Sequence, residues 1–364
     1  MHFYHCLQLD VGVLKSKIRS AETSRERHKF QLALVSRSLL IVLFAIALIA
    51  PLTAVFGSEN NAMIVALFCI LLSTRFVDFG YRVRDSIISM AVVFALLLGA
   101  PIAASMLHPA FALLVHFAAV FTILVMTCDQ PEMGNGGLYA FSYVFLAANP
   151  VTGELLVKRS LLTLLGFAVC GTIFFVKHRK KHTNISFRQI VSQFHLSSDK
   201  SRWQLRLALG VSLLLFLSTL LHIERYMWAG FACASLLSAY APNKHTHHHI
   251  RERFSHRMIG TVVGSVLFFV VYQLTPTAFH TFFGAVCGIC LGFCTDYRYK
   301  TAINCFSALL LASSLYGLHG ALFLRVCNNL LGVAFGYGFC LLYHYLVDRK
   351  FETHANKKMC TLSH

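Results

Sequence analysis

Four cations in this sequence stand apart from the rest. Of its 32 Lys and Arg residues, 28 fall in alternate gaps between apolar runs, while Lys158, Arg159, Arg225 and Arg325 fall in the other gaps. Arg159 and Arg325 each open the last apolar run of one half of the chain. A guanidinium offers parallel N–H groups that match a carboxylate, and it also sets a positive potential that admits anions. Asn328 and Asn329 lie one turn beyond Arg325 and supply donors and acceptors within the same run. The alternative for each arginine is to reach the lipid headgroups or to pair with a local acid such as Glu154. Glu59 and Glu224 are matching acids at the junction of the first two runs of each half. A carboxylate partly withdrawn from water has a raised pKa, as proton coupling requires, whereas for Glu224 a salt bridge among Arg225 and His222 is the simpler reading.

Other chemistry-bearing residues carry blander expectations. Asp129 and Asp296 follow the fourth run of their halves and are expected in loop ion pairs, with a gate as the alternative. His245, His247, His248, His249 and His256 could bind a metal at their density, but they lack a cysteine or carboxylate framework, and a solvated basic loop is expected. Cys287, Cys290 and Cys294 share one helical face and read as packing residues, so neither a metal nor a cofactor is predicted and no disulfide is expected. Gly134-Asn135-Gly136-Gly137 opens a short run, the mark either of a discontinuous helix lining a transport site or of a tight loop into a tilted one.

The elements that must position these groups are membrane helices. The chain is 57% hydrophobic and 13% charged, about half the charge of a soluble domain, so lipid is its solvent. Apolar windows near 37–57, 60–75, 84–106, 109–128, 136–149 and 158–176, and again near 203–222, 226–241, 257–274, 278–295, 300–317 and 321–346, predict about 12 transmembrane helices in an all-α polytopic protein. Basic gaps are retained on the cytoplasmic side, so both termini are expected there in a multi-pass protein. The net charge of +17 is accounted for by this sorting and by anionic membrane lipids as partners, and nucleic acid is not expected.

The predicted organisation is a cytoplasmic segment 1–36, a six-helix repeat 37–176, a basic linker 177–202, a second six-helix repeat 203–347 and a tail 348–364. Offsets near 165 align Arg37 with Arg202, Glu59 with Glu224, Met63 with Trp228 and Arg159 with Arg325. An even number of spans per half makes the repeats parallel, related by a two-fold along the membrane normal, with a central pathway between them. Arg159 and Arg325 would then face each other.

Arg206 in a helix start, Tyr226-Met227-Trp228 opening a run, Ala241-Pro242 closing it, and Arg257-Met258-Ile259-Gly260-Thr261-Val262-Val263-Gly264 beginning the next form a series. The series resembles the fusaric acid resistance and aromatic acid exporter family of inner-membrane proteins. The first half matches loosely: Arg84 takes the arginine position, but Asp85-Ser86-Ile87-Ile88-Ser89 replaces the Gly-Thr motif and Met63 the tryptophan. The Arg257–Gly264 stretch itself reads as a packing face with a headgroup-anchored arginine. The resemblance implies a bacterial inner-membrane efflux carrier, proton-coupled, for small aromatic or other organic acids, with Trp228 joining the binding residues. Plant malate-channel relatives imply an anion channel instead, and a membrane enzyme acting on lipid-linked substrates is the rival from another class. Large exporters of the family carry a sizeable soluble domain between repeats, where this chain has about thirty residues of linker. A homo-oligomer is compatible with the pattern.

Overall fold

In a bilayer every backbone N–H and C=O must be satisfied within the chain, and long apolar segments therefore coil into helices. The computed structural model describes residues 3–240 and 246–351, without the side chains of 246–249, and among them only helices, turns and loops occur. In chain order the helices are α1 (Phe3–Leu7), α2 (Val11–Arg19), α3 (Ser24–Phe56), α4 (Asn61–Thr74), α5 (Val83–Ser105), α6 (Pro109–Thr127), α7 (Asn135–Ala147), α8 (Gly153–His178), α9 (Phe187–Ser192), α10 (Asp199–Leu220), α11 (Met227–Leu237), α12 (Thr246–Leu274), α13 (Phe283–Phe293) and α14 (Tyr297–Tyr343). Seven of them, α3, α5, α6, α8, α10, α12 and α14, are long and apolar enough to cross a membrane.

The remaining apolar windows coincide with shorter helices, α4, α7, α11 and α13. At about 1.5 Å per residue the 47-residue α14 would far exceed a bilayer's apolar thickness of about 30 Å as one rod. It is two helices joined at Gly317, whose φ of 69° and ψ of 167° only a residue without Cβ adopts readily. That break falls between the windows 300–317 and 321–346.

The chain divides into two compact units that do not follow the sequence halves. The first comprises residues 1–50 and 253–329. In it α2 folds back on α3 so that Cys6, Val11 and Leu14 are buried with Ala33 and Leu34, and Phe293 packs on the cluster. Asp10 caps α2 by accepting from the Gly12 N–H at 2.7 Å. Gly260 and Gly264 let α12 lie directly on the first segment of α14: a Cβ at Gly264 would stand 2.5 Å from the Ala302 carbonyl oxygen and one at Gly260 2.7 Å from that of Arg298.

The second unit comprises residues 51–252 and 330–364. Neighbouring helices run α8, α4, α7, α11, α10, α6, α5 and back to α8, and α7 also touches α5, α6 and α10. The short α7 is thus the innermost helix, with Tyr139, Tyr143, Val144 and Leu146 buried. Helices α10 and α11 pack against α6 and α7 although they come from the other half of the sequence.

Candidate functional site

Arg159 sits in the second turn of α8 and is 1% exposed. Its Nε donates to Asn60 Oδ1 at 2.8 Å, its Nη1 to the Asn149 carbonyl at 2.7 Å and its Nη2 to the Glu59 carbonyl at 2.9 Å. Asn60 is itself held, donating to the carbonyls of Phe56 and Leu155. The guanidinium therefore ties α8 to the turn before α4 and to the end of α7, and three of its five N–H groups are engaged. Glu154 is taken by Lys158 at 2.8 Å, one turn along the exposed side.

Arg325 lies in the other unit, in the second segment of α14, and is buried together with Asn328 and Asn329. Asn329 Nδ2 donates to the Arg325 carbonyl at 2.8 Å, while its Oδ1 accepts from Arg257 Nη2 at 3.3 Å. Arg257 Nη1 also reaches the Tyr297 hydroxyl at 3.1 Å. Arg257, expected at the headgroups, thus belongs to the same polar cluster as Arg325. Thr261 and Ser265, buried one and two turns further along α12, extend it. Their spacing of four was the available signal, hidden by the glycines interleaved with them.

Trp228 is buried at the start of α11. Glu59 and Glu224 are both exposed, so the withdrawal from water on which their coupling role rested is not seen at either. Asp129 holds Lys200 at 2.6 Å, and Asp296 holds Arg298 at 3.2 Å while accepting from its backbone N–H at 2.8 Å. These contacts keep the Asp296 carboxyl below its ordinary range. Both acids form the expected loop pairs. Ala241-Pro242 and His245 lie outside the described residues, as do the side chains of His247, His248 and His249. The eleven described cysteines are free thiols.

The glycine run before α7 has a packing role. Gly134 adopts a left-handed φ of 86° between the turn Pro131–Met133 and α7. Gly136 faces the Trp203 ring, whose Cη2 lies 2.5 Å from where a Cβ would stand, and Gly137 faces Ser238.

A feature absent from the sequence reading is an acid-centred clasp on the linker. Asp78 meets Lys181 Nζ at 3.0 Å and His182 Nε2 at 3.2 Å, with His178 Nδ1 at 3.9 Å. Nearby, Asp85 accepts from the Phe187 N–H at 2.9 Å and Arg82 N–H donates to the Ile185 carbonyl. Burial pushes the Asp78 carboxyl up, but Lys181 and the Gly80 N–H outweigh it and hold it below 3.8.

Residues 212–339 match the model of a family described as fusaric acid resistance protein-like. The match runs from α10 to the second segment of α14, less than half of the 364 residues, and it contains the Arg257–Gly264 motif that carries the resemblance. No curated protein and no solved structure matches the chain. With seven helices able to cross a bilayer, the family match supports a multi-pass membrane protein of the transport and resistance kind.

Proposed function

We propose that this protein, whose helices include a fusaric acid resistance-like segment, exports small organic acids, aromatic carboxylates foremost, across the bacterial inner membrane. The observation that carries the reading is the cluster around Arg325: a guanidinium and two asparagines buried in one unit, with a second arginine bonded to one of the asparagines. Ionisable groups are kept at such depth at a cost, and they are retained where an ion or polar substrate passes. Two cations in one cluster suit an anion.

Within this proposal Arg325, Asn328 and Asn329 contact the carboxylate in one unit. Arg159 and Trp228 serve in the other, Arg159 through the positive potential of its held guanidinium and its two remaining N–H groups. Twelve spans in two parallel repeats, with both termini cytoplasmic, are part of the same reading, supported by the helices found at the predicted windows. Proton coupling is proposed with Glu59 and Glu224 as its acids, each at the start of an equivalent helix. The test is tolerance of cells to aromatic acids with Arg325→Gln at normal protein level. Lost tolerance is expected, and tolerance equal to the parent would remove Arg325 from the pathway. An anion channel is the second reading, favoured by the exposure of both acids. Flux that follows the anion gradient without proton movement would select it.

A further inference from the structure

Arginines in the second unit are not treated alike. Arg159 meets three protein acceptors, and Arg202 meets the carbonyls of Leu196 and Ser197, the Asp348 carboxylate at 2.9 Å and the Asp199 carboxylate. Arg206, one turn further along α10 and 5% exposed, has one hydrogen bond, from Nη2 to the Ala239 carbonyl at 3.5 Å, at the limit of such a bond, and its other polar neighbours are the uncharged Cys340 and Tyr343. Its Nε is shielded from solvent and meets nothing. Of the acids described at this end of the unit, Asp199 and Asp348 are engaged by Arg202 and Asp129 by Lys200, while Glu132 lies within electrostatic reach of Tyr240.

Trp203 is three residues earlier on the same helix and 2% exposed, and its indole N–H is likewise buried with no acceptor. Residues three apart share a helix face. Both side chains meet the segment that leaves α11: Arg206 reaches the carbonyl of Ala239, and the Trp203 ring packs edge-on against Tyr240 at 5.6 Å. The indole is fixed in place, because its ring fills the space left by the missing side chain of Gly136. Guanidinium and indole are both donors only. Two buried donor-only groups side by side, one of them cationic, call for an acceptor that carries negative charge.

We propose that Arg206 and Trp203 form a carboxylate-binding site at the start of α10, separate from the groups around Arg325 and Arg159. One edge of the guanidinium takes both carboxylate oxygens, and the indole N–H gives a third hydrogen bond. A small organic carboxylate fits this set, since a phosphate dianion would leave a second negative charge without a partner. The site stands whether or not the protein proves to be an exporter, because it is read from binding alone.

The chain has two tryptophans, so Trp228→Phe leaves Trp203 as the sole indole. Purified protein with that change, titrated with cyclohexanecarboxylate at constant ionic strength, is expected to show a saturable change in Trp203 emission. Arg206→Gln is expected to weaken it at least tenfold. Arg206→Lys, which keeps the charge and loses the fork, is expected to weaken it severalfold and covers the case in which the glutamine variant does not fold. In the unaltered background, Trp203→Phe is expected to reduce the thermal stabilisation given by the same carboxylate. A response no different from that to chloride, equal saturation in both Arg206 variants, or saturation by inorganic phosphate and not by the carboxylate would each overturn the proposal.

Discussion

A guanidinium withdrawn from water holds its place only while its N–H groups are met, and Arg159 is held by Asn60 and by the carbonyls of Glu59 and Asn149. Arg159→Gln leaves three acceptors in two elements unsatisfied and is expected to cost about 3 kcal/mol or more, read as a fall in the melting temperature in detergent. Arg159→Lys is not expected to restore it, because one ammonium cannot span acceptors arranged for a fork. Asp78 gives a pH prediction of definite sign. Lys181 and the Gly80 N–H hold its folded pKa below the ordinary carboxylate value, so the clasp contributes stability above that ordinary value and loses it as the pH falls through the lowered one. Protection from hydrogen exchange in residues 179–190, referred to the intrinsic rate at each pH, is expected to hold from neutral pH into the acid range and to be lost only as Asp78 is protonated, whereas Asp78→Asn lowers it at neutral pH. At this scale the sequence pointed to Arg159, Arg325, Asn328 and Asn329 as unusual, and all four are buried. It did not reveal which acceptors hold Arg159, nor that Arg257 shares a cluster with Arg325, because those partners, apart from Asn149 ten residues away, lie 72 to 100 residues distant along the chain.

Several helices of this protein were legible to within a few residues because a long apolar run in a bilayer coils into a helix, whereas α3 and α12 start at Ser24 and Thr246, well before the windows at 37 and 257, because their first turns are polar. Windows 84–106 and 109–128 correspond to Val83–Ser105 and Pro109–Thr127, and Gly317 divides α14 where two windows meet. Helix α9 is the short helix of the linker, opened by a capping box of Ser186 and Gln189. Which face packs against protein was not legible either: lipid-facing and protein-facing residues are equally apolar, as the exposed Leu39, Leu43 and Ile46 of α3 show. Glycine contacts supply the missing information. Gly264→Val would drive a side chain into the backbone of Ala302, which has no rotamer to yield, and an overpacking cost of about 1–3 kcal/mol is expected. Gly284→Ala, with nothing within 4 Å of the new methyl, is expected to leave the melting temperature unchanged.

At the scale of the whole molecule, charge and packing record different histories. The basic residues follow the alternation expected of a duplicated chain inserted in one orientation, whereas the compact units gather α10 and α11 with α6 and α7 and so cut across the two halves. The predicted halves rest on charge sorting, which acts loop by loop along the chain. The compact units could not, because they depend on contacts between distant segments. Single cysteines placed in the tail and in the linker, probed from one side of sealed vesicles, are expected to react from the same side. The measurement that bears most directly on the proposed function is efflux of a labelled aromatic carboxylate from proteoliposomes. Saturable, protein-dependent release is expected, reduced at least tenfold by Arg325→Gln in protein that elutes and melts as the parent does. Release no faster than from protein-free liposomes, or release unaltered by that substitution, would contradict it.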